Sequence, residues 1–153
     1  GPQDRPGGTL VLIAHVLRDK GAAVHTLSAD ATLEQAAREL HNRKVGALVV
    51  LDEEASILGV LSERDLVREV ARRGAAALDD TVGAVMSREV HTAMMDESID
   101  DGLGRMTDRR VRHLPVVEAG RLVGIVSIGD LVKHRITVVE AEAAAMQAYI
   151  AAQ

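Results

Sequence analysis

Cysteine, phenylalanine and tryptophan are absent from this chain, and tyrosine occurs once, at Tyr149. Without cysteine there is no disulfide framework, no thiol nucleophile and no thiolate metal site. The same absence suits a reducing compartment, so a cytoplasmic location is expected. Without aromatic rings the stacking platforms of single-stranded nucleic-acid binders are missing. A net charge of -5 further opposes a phosphate-backbone partner. No apolar run approaches the ~18 residues needed to span a bilayer, and the polar opening Gly1-Pro2-Gln3-Asp4 does not read as a secretory leader. The expectation is therefore no nucleic-acid partner, no membrane partner, and residues 1–8 standing outside the fold as a cleavage remnant.

What remains is enough for one compact unit. The chain has 153 residues, 47% of them hydrophobic and 27% charged, a globular composition. Its core must be built from Ala, Val, Leu, Ile and Met.

The chain repeats itself. Val24-His25-Thr26 recurs as Val90-His91-Thr92, Gly59-Val60-Leu61-Ser62 as Gly124-Ile125-Val126-Ser127, and Asp65-Leu66-Val67 as Asp130-Leu131-Val132, each about 65 residues on. Each repeat opens with a short extended piece, Ala23 to Leu27 and Glu89 to Ala93. A helix follows, capped by Thr32 with Gln35 in the first repeat and by Ser98 in the second. Leu33, Ala36, Ala37 and Leu40 fall on one helix face; Gly102 replaces Ala36 in the second copy and permits close packing. Two short apolar runs joined by a turn then predict antiparallel strands, Ala47 to Leu51 with Ile57 to Leu61, and Leu114 to Val117 with Leu122 to Val126. Pro115 belongs at a strand position that needs no donor. A second helix starts after Ser62 and after Ser127. The fold class is α/β, with two β-α-β-β-α units packed sheet to sheet. Thr9 to Arg18 predicts a short leading helix. Leu131 to Ala152 predicts one long helix whose row Ile136, Val139, Ala143, Met146 and Ile150 has near-heptad spacing and packs either on its own chain or on a second subunit.

Gly59-Val60-Leu61-Ser62-Glu63-Arg64-Asp65-Leu66, its copy Gly124-Ile125-Val126-Ser127-Ile128-Gly129-Asp130-Leu131, and the segment Arg112-His113-Leu114-Pro115-Val116-Val117 together resemble the CBS-domain family. The resemblance runs from about residue 9 to about residue 135 and implies a stand-alone tandem pair, or Bateman module: 9–75 as motif 1, 76–135 as motif 2, and 136–153 as a C-terminal helix extension. It implies a disc with pseudo-two-fold symmetry, a homodimer, and adenosyl ligands (AMP, ADP or ATP, with NAD or S-adenosylmethionine as further candidates) in clefts between the motifs. It also implies that Asp65 and Asp130, each with its Ser62 or Ser127, accept the ribose hydroxyls.

The residues bear on this independently. Ser62 with Asp65, and Ser127 with Asp130, form capping boxes, and a carboxylate at a helix start can also accept two hydrogen bonds from a cis diol. The phosphate end needs cations, for which Arg64, Arg112 and His113 are the candidates in the Asp65 cleft. Lys44, with Gly46 and Ala47 standing where Arg112 and His113 stand in the other repeat, makes the Asp130 cleft the poorer one. The adenine slot is expected among Val24, Val45, Leu48, Val90, Val111 and Leu114. His25 and His91 occupy matching positions but lack the companions of a metal site, so no metal and no required cofactor are expected. Nor is there a nucleophile–base pair or a phosphate-cradling loop, so the chain reads as a non-enzymatic regulatory module acting on an unknown effector protein. The alternative is a structural or adaptor dimer with vestigial clefts.

Overall fold

The computed structural model describes residues 10–153. The cleavage-remnant reading of 1–8, and Thr9 at the start of the leading helix, lie outside the described residues. The first motif comprises β1 (Thr26–Leu27), α2 (Leu33–Arg43), β2 (Ala47–Leu51), β3 (Ile57–Ser62) and α3 (Glu63–Arg73); a helix α1 (Ile13–Lys20) precedes it. A 3-10 turn at Gly74–Asp79 and a short helix α4 (Val82–Val85) lead into β4 (Ala93–Met94), α5 (Ile99–Arg109), β5 (His113–Glu118), β6 (Arg121–Ser127) and α6 (Ile128–Ala151). Both sheets are three-stranded with the same plan, β1-β2-β3 and β4-β5-β6. In each, the short first strand runs parallel to the central one and the hairpin partner antiparallel.

The caps expected from sequence are present. Thr32, Ser62, Ser98 and Ser127 each accept a hydrogen bond from the backbone N–H three residues on. Such caps satisfy amide groups that the helix start leaves orphaned. Pro115 sits near the start of the central strand β5, paired on one side with Ile125, while the β4 ladder begins only at Val116. No donor is missed there.

Strand β2 explains how the layers stack. Leu48 and Val50 join Leu33, Ala36, Leu40, Leu61, Val82 and Met86 in the core under the helices of the first motif. Ala47 and Val49 point the other way and meet Ile125 of the second sheet, with Val24, Leu51, Ile57, Val60 and Leu122 around them. The sheets thus pack face to face across a small aliphatic layer.

The helices between the strand units cross over. Although α1 precedes motif 1, its Ile13, Val16 and Leu17 are buried with Ala93, Ile99, Met106, Leu114, Val116, Val126 and Leu131 of the second motif. Reciprocally, Val82 and Met86 of the linker pack into the first core. In space, the leading helix of the 9–75 span packs with the other motif. The long C-terminal helix expected from Leu131 onward is α6, which runs to Ala151.

The glycine that opens each repeated Gly-apolar-apolar-Ser run has a packing role. A Cβ on Gly59 would come within 2.5 Å of the Ser87 carbonyl oxygen and 2.7 Å of Met86 Sδ, because Val60 and Ser87 form a backbone bridge there. At Gly124 the corresponding contacts are the Leu17 methyls at 2.7 Å. A side-chain tip can move and a bridged carbonyl cannot. Gly59→Ala is expected to destabilise by about 1–3 kcal/mol, the cost of overpacking, with Gly124→Ala less affected; urea denaturation of both variants measures the difference.

Candidate functional site

A cavity of about 340 Å³ opens at the junction of the two motifs. The N-terminus of α3 contributes Ser62, Glu63, Arg64, Asp65 and Arg68. Opposite stand Arg110, Val111, Arg112 and His113, where α5 ends and β5 begins, and Ser87, Glu89, Val90 and His91 from the linker before β4. Four arginines face three carboxylates in a chain whose overall charge is -5. Val60, Val90 and Val111 provide an aliphatic wall.

This arrangement brings together Ser62, Arg64, Asp65, Val90, Val111, Arg112 and His113 from two different repeats. It does not bring in Leu48 and Leu114. Both are fully buried in the cores of their own motifs and expose no surface to the cavity. Val24 packs against the inter-sheet layer and Val45 against the first core. Lys44 caps α2 in a left-handed conformation (φ 56°) and borders a shallow surface groove with Val45, Gly46 and Glu63. Arg68, Arg110, Glu63, Ser87 and His91 are cavity residues that motif reading missed. Arg110 could have been found, since it matches Lys44 in the repeat and shares its left-handed φ of 56°.

Asp65 is largely shielded and already occupied. Its Oδ2 accepts from the Ser62 N–H at 2.9 Å and the Ser62 hydroxyl at 3.1 Å, and Oδ1 pairs with Arg68 at 3.1 Å. A carboxylate has about four lone-pair sites, so further acceptance is possible, most easily if the exposed Arg68 swings away. The start of α3 offers few free amides to a phosphate. The Glu63 N–H donates to the Gly46 carbonyl at 2.9 Å and the Asp65 N–H to Ser62 Oγ at 3.3 Å, so two of the first-turn donors are consumed internally.

His113 links the motifs. Its Nε2 lies 3.1 Å from where a Cβ on Gly46 would stand, so only glycine lets the ring rest this closely on the first motif. Burial is the main cause that holds its pKa below the ordinary histidine value, reinforced by the Lys20 ammonium and by Arg112 and opposed by Glu63 and Asp130. The balance favours the neutral ring. Desolvation thus disfavours a proton on the ring while no anion stands beside it.

The Asp130 side is built differently. Lys20, at the end of α1, places its ammonium 2.6 Å from Asp130 Oδ2 and 2.8 Å from the Ile125 carbonyl. Asp130 also accepts from the Ser127 N–H at 2.8 Å. Burial opposes its ionisation, but the bonds from Lys20 and Ser127 outweigh it and hold the carboxyl below its usual range. One residue along, Asp19 pairs with His134 of α6 at 3.0 Å. The last turn of α1 is thus clamped onto the start of α6, with a cation on the carboxylate that matches Asp65. Among the described residues no cluster of three or more His, Cys, Asp or Glu groups could hold a metal, and no helix is long and apolar enough to cross a membrane.

These features, two capped units of one plan with an acid–serine pair at each second helix, define a tandem α/β repeat. The profile of the CBS domain matches residues 20–72 and 82–137, and the chain belongs to the CBS-domain family as a tandem pair. The crystal structure of the CBS-domain-containing protein ATU1752 from Agrobacterium tumefaciens superposes with a TM-score of 0.77 at 42% identity, covering 81% of this chain and 98% of that one. The CBS domain pair of protein MJ0100, crystallised with 5′-methylthioadenosine and S-adenosyl-L-methionine, has a TM-score of 0.73 at 25% identity over 82% and 95% of the two chains. The mitochondrial CBS domain-containing protein CBSX3 of Arabidopsis thaliana is 30% identical over 90% of this chain and 71% of its own length. An uncharacterised 17.7 kDa protein of Acidianus ambivalens is 33% identical over 72% of this chain and 66% of its own.

Proposed function

We propose that this chain is a regulatory binding module, not an enzyme, which takes one adenosyl ligand in the Asp65 cleft and signals to an effector protein. The observation that carries the proposal is the convergence of Asp65, Arg64, Arg112 and His113, from both repeats, on one cavity of about 340 Å³, a volume within the range of small-molecule sites. The ribose diol would bind Asp65. The purine would lie against Val60, Val90 and Val111, and the phosphates against Arg64, Arg110 and Arg112. AMP, ADP and ATP fit the four arginines best. S-adenosylmethionine, which carries a sulfonium in place of phosphate, suits that charge less well, although the pair of protein MJ0100 was solved with it. The vestigial-cleft reading is favoured by an observation at Asp130 alone, where Lys20 already fills the acceptor.

The proposal gives a pH signature. Neutral His113 contributes stability that is full above the ordinary histidine pKa and declines as pH falls through the lower folded-state value. A phosphate arriving beside it would raise that pKa again, so binding should take up a proton. The affinity of ADP should rise between pH 7.5 and 6, and His113→Gln should flatten the part of that rise the ligand's own phosphate titration leaves over. Calorimetry in buffers of different ionisation enthalpy reads the proton count; equal uptake in wild type and His113→Gln would remove His113 from the phosphate end.

A further inference from the structure

Helix α6 runs unbroken for 24 residues, yet Leu131 is its only buried residue. Beyond the first turns an apolar row stands in water. Val132 is 41% exposed, Ile136 53%, Val139 49%, Met146 59% and Ile150 65%, and exposed Ala143 continues the row. The steps along 132, 136, 139, 143, 146 and 150 alternate four and three. That is the narrow seam of a two-stranded coil, not the broader stripe with which a helix covers a globular core. Neither Gly nor Pro interrupts the helix after Gly129.

We infer that this face is the seam of a parallel, in-register coiled coil between two copies of this chain, with Ile136, Ala143 and Ile150 at a positions and Val132, Val139 and Met146 at d positions. The direction follows from the flanking charges. In a parallel pair the g residue of one helix faces the e residue five positions on in the other. Arg135 then meets Glu140 of the second copy, and the symmetry makes this contact twice. Within its own chain Arg135 Nε lies 3.7 Å from Asp100 Oδ1. An antiparallel pair that buries the same row sets Ile136 against Met146 and Val139 against Ala143. It then brings Glu140 opposite Glu140 and Glu142 opposite Glu142, like charges at close range. The seam is self-complementary in one direction only, which is why a second copy, aligned head to head, is the occupant. It spans about three heptads, roughly 30 Å at 1.5 Å per residue. The pairing is independent of nucleotide binding.

The absence of native cysteine makes the test direct. Met146→Cys places a thiol at an exposed d position, where a parallel in-register pair brings two copies of it face to face. An antiparallel pair holds them about 15 Å apart, beyond disulfide reach. Ala144→Cys, on the outer face, is the control. Mild oxidation of the full chain should convert Met146→Cys to a covalent dimer much faster than Ala144→Cys. Arg135→Glu should slow that reaction several-fold, and adding Glu140→Arg should restore it. Equal rates for the two thiols, or a charge reversal without effect, would overturn the proposal. So would cross-linking confined to mixed Val139→Cys and Ala143→Cys chains, which would mark the antiparallel arrangement.

Discussion

Asp65→Asn is expected to weaken adenosyl-ligand binding by about 10–100-fold. The estimate follows from losing hydrogen bonds to a charged acceptor, about 1.5–3 kcal/mol, at 1.4 kcal/mol per factor of ten. The substitution also touches the capping box that Asp65 shares with Ser62, so part of any effect could come from a looser α3. A ligand lacking the 2′- and 3′-hydroxyls separates the two. If Asp65 reads the ribose, the dideoxy ligand should bind wild type and Asp65→Asn with nearly equal affinity, since coupling appears only between groups that touch. A similar loss for both ligands would reduce Asp65 to its cap. Thermal unfolding of the free variant should show a destabilisation on the order of 1 kcal/mol, as for a weakened helix cap.

Lys20→Met is expected to raise the stoichiometry of adenosyl binding from one to two per chain. The ammonium of Lys20 sits on the acceptor that matches the proposed ribose acceptor of the first cleft, and methionine keeps most of the apolar stem while removing the charge. The variant should also lose stability, because a half-shielded carboxylate is left without its cation. The pH dependence identifies the source. With its folded pKa depressed, Asp130 adds stability above the unfolded carboxylate pKa and loses it as pH falls through the folded value. That acid-side slope should be shallower in Lys20→Met. Titration calorimetry counts the sites. A stoichiometry that stays at one, with stability lost, would make Lys20 a structural clamp and leave the second cleft closed for other reasons.

The plan of the fold was legible because its signals are local. Capping serines, the repeated Gly-apolar-apolar-Ser run and strands of five to seven residues recur at one spacing, and each rests on neighbours in sequence. The cleft was legible in outline for the same reason, once the family resemblance said that one cleft draws on both repeats. What escaped was long-range. Leu48 and Val49 are equally buried, yet one faces the helices and the other faces the second sheet. A strand covered on both faces has no polar alternation to reveal which is which. The same holds for Lys20, whose partners Ile125 and Asp130 lie more than a hundred residues away. No spacing rule announces that α1 packs on the other motif. Arg68 escaped because an arginine three residues after an acid reads as an ordinary surface pair, and only the cavity shows that the pair borders a cleft.

The central claim is that the Asp65 cleft is one adenosyl site. Titration calorimetry of the full chain with ADP, alongside GDP and buffer, tests it most directly. The account predicts one saturable site per chain for ADP, much weaker binding of GDP, and an ADP affinity lowered about 10–100-fold in Asp65→Asn. No saturable heat at millimolar ADP, AMP or ATP, together with no thermal stabilisation by any of them, would contradict it.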